Sequence, residues 1–282
     1  MLKVRQVSKK FWRKRALCSV DIQFEKGIYG LLGENGAGKT TLLRCIVGLY
    51  KPTEGEVYWN EKNVLQSKEY CDILGYLPQY FEGLKDLNIR EVLEYFGDIK
   101  NIPAKRLQDR IESSLSAVNL LEQKEDKVRT LSGGMQRRLG IAQAILNEPK
   151  VLIFDEPTAG LDPKERLRFQ NLISEYKESD SVVLISTHIV SDIESLCNHI
   201  IVMKSGQVLG VYTPEELAEK AKGKVYQLTE HQYELQKDLC FMISKTQQEN
   251  SQMVRVLSDN ELDGEKVNSN VEDGYLWITL EK

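Results

Sequence analysis

The segment "ALCSVDIQFEKG" (16–27) alternates apolar and polar positions and closes on glycine, the pattern of antiparallel strands with one solvated face. "GIYGLLG" (27–33) is a short, wholly apolar strand running into a glycine-rich loop, and "TTLLRCIVGL" (40–49) predicts the helix after it. "KPTEGEVYWNEKN" (51–63) reads as a hairpin with Pro52 and Gly55 in its turns. From about 80 to 135 the period becomes helical. In "LNIREVLEYFG" Asn88 is placed to cap, Glu91 follows three residues later, and Val92, Leu93 and Phe96 share a face. "KVLIFDEPT", "VVLIST" and "HIIVM" are all-apolar strands separated by helix-length segments, which suits a sheet covered on both faces. The expected fold class is therefore α/β, with an antiparallel β portion and a helical insert at about 80–135. After Gly223 the character changes to four β-like runs, "KVYQLT", "LCFMIS", "MVRVLS" and "YLWITL", which predict a small α+β appendage. The expected domains are 1–220 and 221–282.

Composition narrows the class. The chain has 282 residues, 41% hydrophobic and 28% charged, ordinary values for a globular protein of one large domain with an appendage. Runs such as "VLIF" are far too short to cross a bilayer, and "MLKVRQVSKKFW" lacks the apolar core of a secretory signal. Residues 221–282 hold 7 Lys and Arg against 11 Asp and Glu, while residues 1–220 are balanced at 31 each. Neither part has the basic excess of a nucleic-acid binder. The 5 cysteines form no C-x-x-C pair and the 3 histidines have no metal-ligand spacing, which fits idle thiols in a reducing compartment.

Three motifs carry chemistry. Gly33-Glu34-Asn35-Gly36-Ala37-Gly38-Lys39-Thr40 fits G-x-x-x-x-G-K-[ST] between a strand and a helix. Its glycines let the backbone curl so that amides surround a phosphate at a helix N-terminus. Lys39 is placed to reach the β- and γ-phosphates of a nucleotide and the Thr40 hydroxyl to ligate Mg²⁺. Farther along, an apolar strand delivers Asp155 and Glu156 to its C-terminal end: Asp155 to hold Mg²⁺ through water, Glu156 to orient or deprotonate an attacking water. A second anion-seeking turn, "LSGGMQRR" (131–138), lies between the two, and one nucleotide site does not need it.

This ordered set resembles the ATP-binding subunit of an ABC transporter, with a P-loop NTPase core, over residues 1 to about 215. The resemblance implies Mg²⁺-dependent ATP hydrolysis in a head-to-tail dimer, with a second ABC ATPase subunit (a second copy or a close paralogue) as partner. Ser132, Gly133 and Gly134 then close over the nucleotide held by the other chain. It implies ATP contacts from Phe11, Gly33, Asn35, Gly36, Ala37, Gly38, Lys39, Thr40 and Thr41, with Phe11 on the adenine and Trp12 as its neighbouring rival. Gln79 in "GYLPQ" is implied as a sensor of Mg²⁺ and γ-phosphate, His188 in "ISTH" as a γ-phosphate contact, and Asp162 in "AGLDP" as the coupling position across the dimer. Mg²⁺ then falls to Thr40, Gln79 and Asp155. Met135 followed by "QRR" is similar to the branch that drives ABC-2-type exporters, and the tail "GKVYQL…MVRVLS…NVEDGYLWI" resembles the short accessory domain of such subunits. The further partner is an integral-membrane permease that holds the chain on the inner face of the cell membrane. It would dock around "YFEGLKDLNIREVLEYF" (80–96), where Phe81, Leu84, Leu87 and Ile89 exceed one helix's own apolar needs. The rival reading is a soluble ABC-type ATPase in assembly or nucleic-acid work. A long heptad-bearing insert or a second cassette would mark it, and neither occurs.

Overall fold

The computed structural model describes residues 1–81, 84–177, 179–248 and 251–280. The chain forms two compact units, Met1–Gly210 and Val211–Lys282.

In the first unit β1 (Leu2–Phe11) and β2 (Lys14–Phe24) pair antiparallel, and β3 (Gly27–Leu32) leads through the glycine-rich loop to α1 (Lys39–Ile46). Strands β4 (Glu54–Trp59) and β5 (Lys62–Asn63) complete an antiparallel sheet ordered β2-β1-β4-β5. The expected hairpin is present, but its turn is Asn60–Glu61, both at positive φ (46° and 64°). Gly55 instead lies inside β4 at φ +74°, where β1 shifts register and a Cβ would stand 2.3 Å from the carbonyls of Arg5 and Gln6. Its glycine serves a close strand-to-strand approach rather than a turn.

Helix α2 (Lys68–Ile73) and strand β6 (Leu74–Leu77) precede the helical insert, which contains α3 (Ile89–Ile99) and α4 (Ala104–Ala117). Helix α3 starts with the capping box read from the sequence: Asn88 Oδ1 accepts from Glu91 N at 2.8 Å and Glu91 Oε2 from Asn88 N at 2.7 Å. There follow α5 (Gly133–Ile145), β7 (Val151–Asp155), α6 (Pro163–Ser174), β8 (Val182–Thr187), β9 (His199–Lys204) and β10 (Gln207–Tyr212). The second sheet runs β10-β9-β3-β8-β7-β6, with every pair from β9 to β6 parallel. Strands β3, β7 and β8 are buried at every position, as their unbroken apolar runs require. Parallel order brings the C-terminal ends of β3, β6, β7 and β8 to one edge, where α/β sheets bind ligands.

The second unit begins earlier than the 220/221 boundary expected from the sequence, and α7 (Pro214–Glu219) explains why. A Cβ on Gly274 of α9 (Val271–Leu280) would stand 1.7 Å from the Leu217 carbonyl, so the two helices meet backbone to backbone. Between them lie β11 (Val225–Thr229), α8 (Glu230–Gln236), β12 (Phe241–Gln248), β13 (Ser251–Leu257) and β14 (Glu265–Lys266), in an antiparallel sheet ordered β12-β13-β11-β14. The first three β-like runs are strands. The fourth, "YLWITL", is helical, because the preceding "NVED" caps it: Asn270 Oδ1 accepts from Asp273 N at 2.9 Å and Asp273 Oδ2 from Asn270 N at 2.7 Å. Local β preference loses to the cap and to burial of Val271 and Gly274.

Asp273 is fully buried and accepts from Arg255 Nε at 3.0 Å and Nη2 at 2.5 Å, which ties α9 to β13. Removing one partner of a buried pair strands the other charge. Arg255→Met is expected to destabilise the second unit by about 3 kcal/mol, and Arg255→Met with Asp273→Asn, which removes the stranded charge but keeps an acceptor for the Asn270 amide, by less. Denaturant unfolding with hydrogen exchange on β11 and β13 reads both, and a double variant worse than the single one would refute the pairing argument.

Candidate functional site

The loop after β3 owes its shape to close backbone approaches. A Cβ on Gly33 would stand 2.4 Å from the Met203 carbonyl, and one on Gly38, at φ +106°, 2.7 Å from the Ala16 carbonyl. Helix α1 then starts at Lys39 with no side chain bonded to its first-turn amides. Those donors face a cavity of about 340 Å³ lined by Glu34, Asn35, Gly36, Gly38, Lys39, Thr40, Thr41, Gln79 and Glu156, with Lys14 and Ala16 from β2. Unpaired amides at the positive end of a helix form a ready anion site.

Lys39 is 6% exposed and donates to the carbonyls of Gly33 at 2.5 Å and Glu34 at 3.1 Å. Burial pulls its pKa below the usual lysine value, opposed by the nearby charges of Glu156 and Asp155. Its ammonium lies 3.8 Å from Glu156 Oε1. Asp155, fully buried at the end of β7, accepts at Oδ1 from Ser186 Oγ at 2.6 Å and Thr40 Oγ1 at 3.1 Å. Its Oδ2 is also buried and has no hydrogen-bond partner among the described residues.

Glu156 has a left-handed backbone, φ +54°, rare outside glycine and asparagine and a sign of local strain. Its amide donates to the carbonyl and the hydroxyl of Ser186 at 3.2 and 3.0 Å. Its carboxylate meets His188 Nδ1 at 3.0 and 3.2 Å. The structure thus gathers Lys39, Thr40, Gln79, Asp155, Glu156 and His188 at one sheet edge. Ser186 was missed from sequence, although the polar Ser186-Thr187 pair closing a buried apolar strand is the signal that could have found it. Lys14 likewise sat unread in "WRKRA".

Other expected residues lie elsewhere. Phe11 packs edge-on against Tyr50, ring centres 5.4 Å apart, and does not line the cavity; Trp12, at φ +47°, is 98% exposed. Ser132 caps α5, its Oγ accepting from Met135 N at 3.2 Å, and neither it nor Gly133 and Gly134 lines the cavity. A Cβ on Gly133 would meet nothing within 4 Å. Asp162 caps α6 by accepting from Glu165 N at 2.9 Å. Of the expected docking stretch, Glu82 and Gly83 lie outside the described residues. Leu87 is half-buried and Ile89 fully buried in the insert, and Phe81 lies against Gly140 of α5. Tyr80, Leu84, Tyr95 and Ile99 are exposed.

Residues 17–159 match the ABC transporter family. Among curated relatives, the chain is 34% identical over 230 residues to the uncharacterised ABC transporter ATP-binding protein YxlF of Bacillus subtilis, covering 81% of this chain and 76% of that one. It is 33% identical over 225 residues to the Nod factor export ATP-binding protein I of Cupriavidus metallidurans (79% and 74% covered). To the methionine import ATP-binding protein MetN of Clostridioides difficile it is 35% identical over 228 residues (77% and 70% covered). Among solved structures it resembles the ATP-binding cassette MJ0796, a post-hydrolysis dimer bound to ADP and Pi, with TM-score 0.69, 28% identity, and 76% and 98% of the two chains covered. A glycine-rich loop, a strand-borne Asp-Glu pair and a histidine meet at one sheet edge in a chain so related, and the chain therefore belongs to the ABC transporter family as an ATP-binding, ATP-hydrolysing subunit.

Proposed function

We propose that this subunit hydrolyses ATP with Mg²⁺ in a head-to-tail dimer and drives a separate membrane permease, in the direction of export. The observation that carries the two-chain reading is the start of α5. Ser132, Gly133 and Gly134 present helix N-terminal amides away from the chain's own cavity, with open space at Gly133 that no internal packing demands. Glycine there serves close approach from outside, and a nucleotide held by a second chain has the charge to fill it. Asp162, at the head of α6, is proposed to couple the two sites, and Phe11 to reach the adenine by leaving Tyr50.

The residues present fit a hard divalent cation. Asp155 Oδ2 is a buried carboxylate oxygen without a partner among the described residues, and Thr40 Oγ1 is 3.1 Å from Oδ1 of the same carboxylate. Thr40, Asp155 through water, and Gln79 would hold Mg²⁺, which when bound neutralises charge on the β- and γ-phosphates. The chain's own groups do the rest. Lys39 turns from the loop carbonyls to the phosphates, α1 amides hold the β-phosphate, Glu156 aligns and deprotonates the water, and His188 steers Glu156 and the γ-phosphate.

Export rests on two supports: Met135 in "LSGGMQRR" with the small C-terminal unit, and the likeness to a Nod factor exporter, set against a comparable likeness to a methionine importer. No helix of the described residues is long and apolar enough to cross a membrane, and attachment to the inner face through the permease is part of this proposal. The docking surface is proposed to include the exposed Tyr80 and Leu84, which follow Gln79 in the chain, and the exposed Tyr95 and Ile99 of α3. The C-terminal unit is proposed as an accessory domain.

Glu156→Gln is expected to retain ATP-induced thermal stabilisation and lose about 10²–10⁴ in turnover, trapping an ATP-bound dimer visible by size exclusion. Lys39→Ala should instead lose the thermal stabilisation. Ser132→Arg should bind ATP as a monomer and fail to dimerise, while its mixture with Lys39→Ala regains at most one composite site. Normal dimerisation and hydrolysis by Ser132→Arg alone would sink the two-chain reading. Leu84→Glu with Tyr80→Asp should release the folded, ATP-binding subunit from membranes. Retention with full permease-stimulated ATPase activity would move the docking surface elsewhere.

A further inference from the structure

Arg137, on α5, is 7% exposed, and its guanidinium donates to five backbone oxygens. Nη1 reaches Pro78 O at 2.8 Å and Gln79 O at 2.9 Å, Nε reaches Pro157 O at 3.1 Å, and Nη2 reaches Asp155 O at 2.5 Å and Glu156 O. The acceptors are the carbonyls of Gln79, Asp155 and Glu156 and of the adjoining Pro78 and Pro157, so Arg137 holds the backbone of these residues and takes up none of the carboxylate oxygens of Asp155 and Glu156. Burial pulls the guanidinium pKa down to about 10, against the pull of Asp155 and Glu156, and it remains cationic at neutral pH.

Two features make this more than helix packing. Helix α5 already grips the Gln79 loop through Gly140, where a Cβ would stand 2.5 Å from Leu77 Cδ1 and 2.9 Å from Phe81 Cγ. A buried cation is not needed for that contact. The strained peptide at Glu156 is held on its amide side by Ser186 and on its carbonyl side by Arg137, and a left-handed backbone persists only where its surroundings over-determine it.

We infer that Arg137 is a positioning residue, which locks the left-handed backbone of Glu156 and the Gln79 loop to α5. The aim of Glu156 then follows the position of the helix whose N-terminus carries Ser132. A shift of α5 on meeting a second chain's phosphate is thereby delivered to the water-activating group of its own chain. The inference rests on the proposed role of Glu156.

Arg137→Lys keeps the charge but replaces a planar five-donor fork with a three-donor ammonium. It is expected to lower kcat about 10- to 100-fold, in keeping with misplacement of a catalytic group by about 1 Å, with KM for ATP within about twofold and the ATP-induced rise in Tm retained. Arg137→Ala should lower kcat further, and millimolar guanidinium should restore part of it. If the alanine variant does not fold, the lysine variant carries the test. Unchanged kcat in Arg137→Lys, or a raised KM with a lost ATP-induced Tm rise, overturns the inference. Active Glu156→Gln would remove the base itself, whereas inactive Glu156→Gln beside fully active Arg137→Lys would overturn only the role of Arg137.

Discussion

Two opposite charges, Lys39 and Glu156, face each other across 3.8 Å with side chains 6% and 9% exposed. Ions so far from water cost several kcal/mol each unless paired and hydrogen-bonded. The architecture around them meets that cost from several directions: loop carbonyls accept from Lys39, and His188 contacts the Glu156 carboxylate. None of this is local in sequence. Lys39 arrives from β3, Glu156 from β7 and His188 from β8, and only a parallel sheet with these strands adjacent brings their C-terminal ends together. The arrangement is also suited to exchange. An ammonium bonded to neutral carbonyls can leave them for a phosphate and gain a full opposite charge.

Much of this was legible in the chain itself, because the signals were short-range. The phosphate loop is contiguous, Asp155 and Glu156 follow an unbroken apolar strand, and the Asn88–Glu91 box announces α3. What escaped depended on distance. Gly55 resembles a turn glycine until β1 is laid beside it, and Ser186 and Arg137 look ordinary until their partners, on separate strands and loops, come within 3 Å or so. "YLWITL" misled by composition: its aromatic and β-branched residues favour a strand, and the Asn270–Asp273 cap that reverses this lies just upstream. The adenine role of Phe11 follows from the family resemblance alone, and its ring is turned toward Tyr50.

The starts of α1 and α5 are built differently. At α1 a left-handed glycine leaves the first-turn amides to the cavity, whereas at α5 a serine hydroxyl already satisfies one of them. The first is a permanent cradle, shaped by close backbone contacts at Gly33 and Gly38. The second already has one of its amides satisfied within the chain, so an incoming anion gains less there and must be brought by something else that binds. That difference suits a primary site and a closing contact.

The contact between Gly274 and the Leu217 carbonyl has a practical side. Helix α7 follows the large unit in sequence, yet its backbone is spoken for by the last helix of the chain. Anyone trimming the protein to its nucleotide-binding part at residue 220 would carry away a helix stripped of its mate, leaving Leu217, now fully buried, open to water. The natural place to cut is between Tyr212, where β10 ends, and Thr213, which caps α7, and the piece released there would take its first and last helices with it as a matched pair.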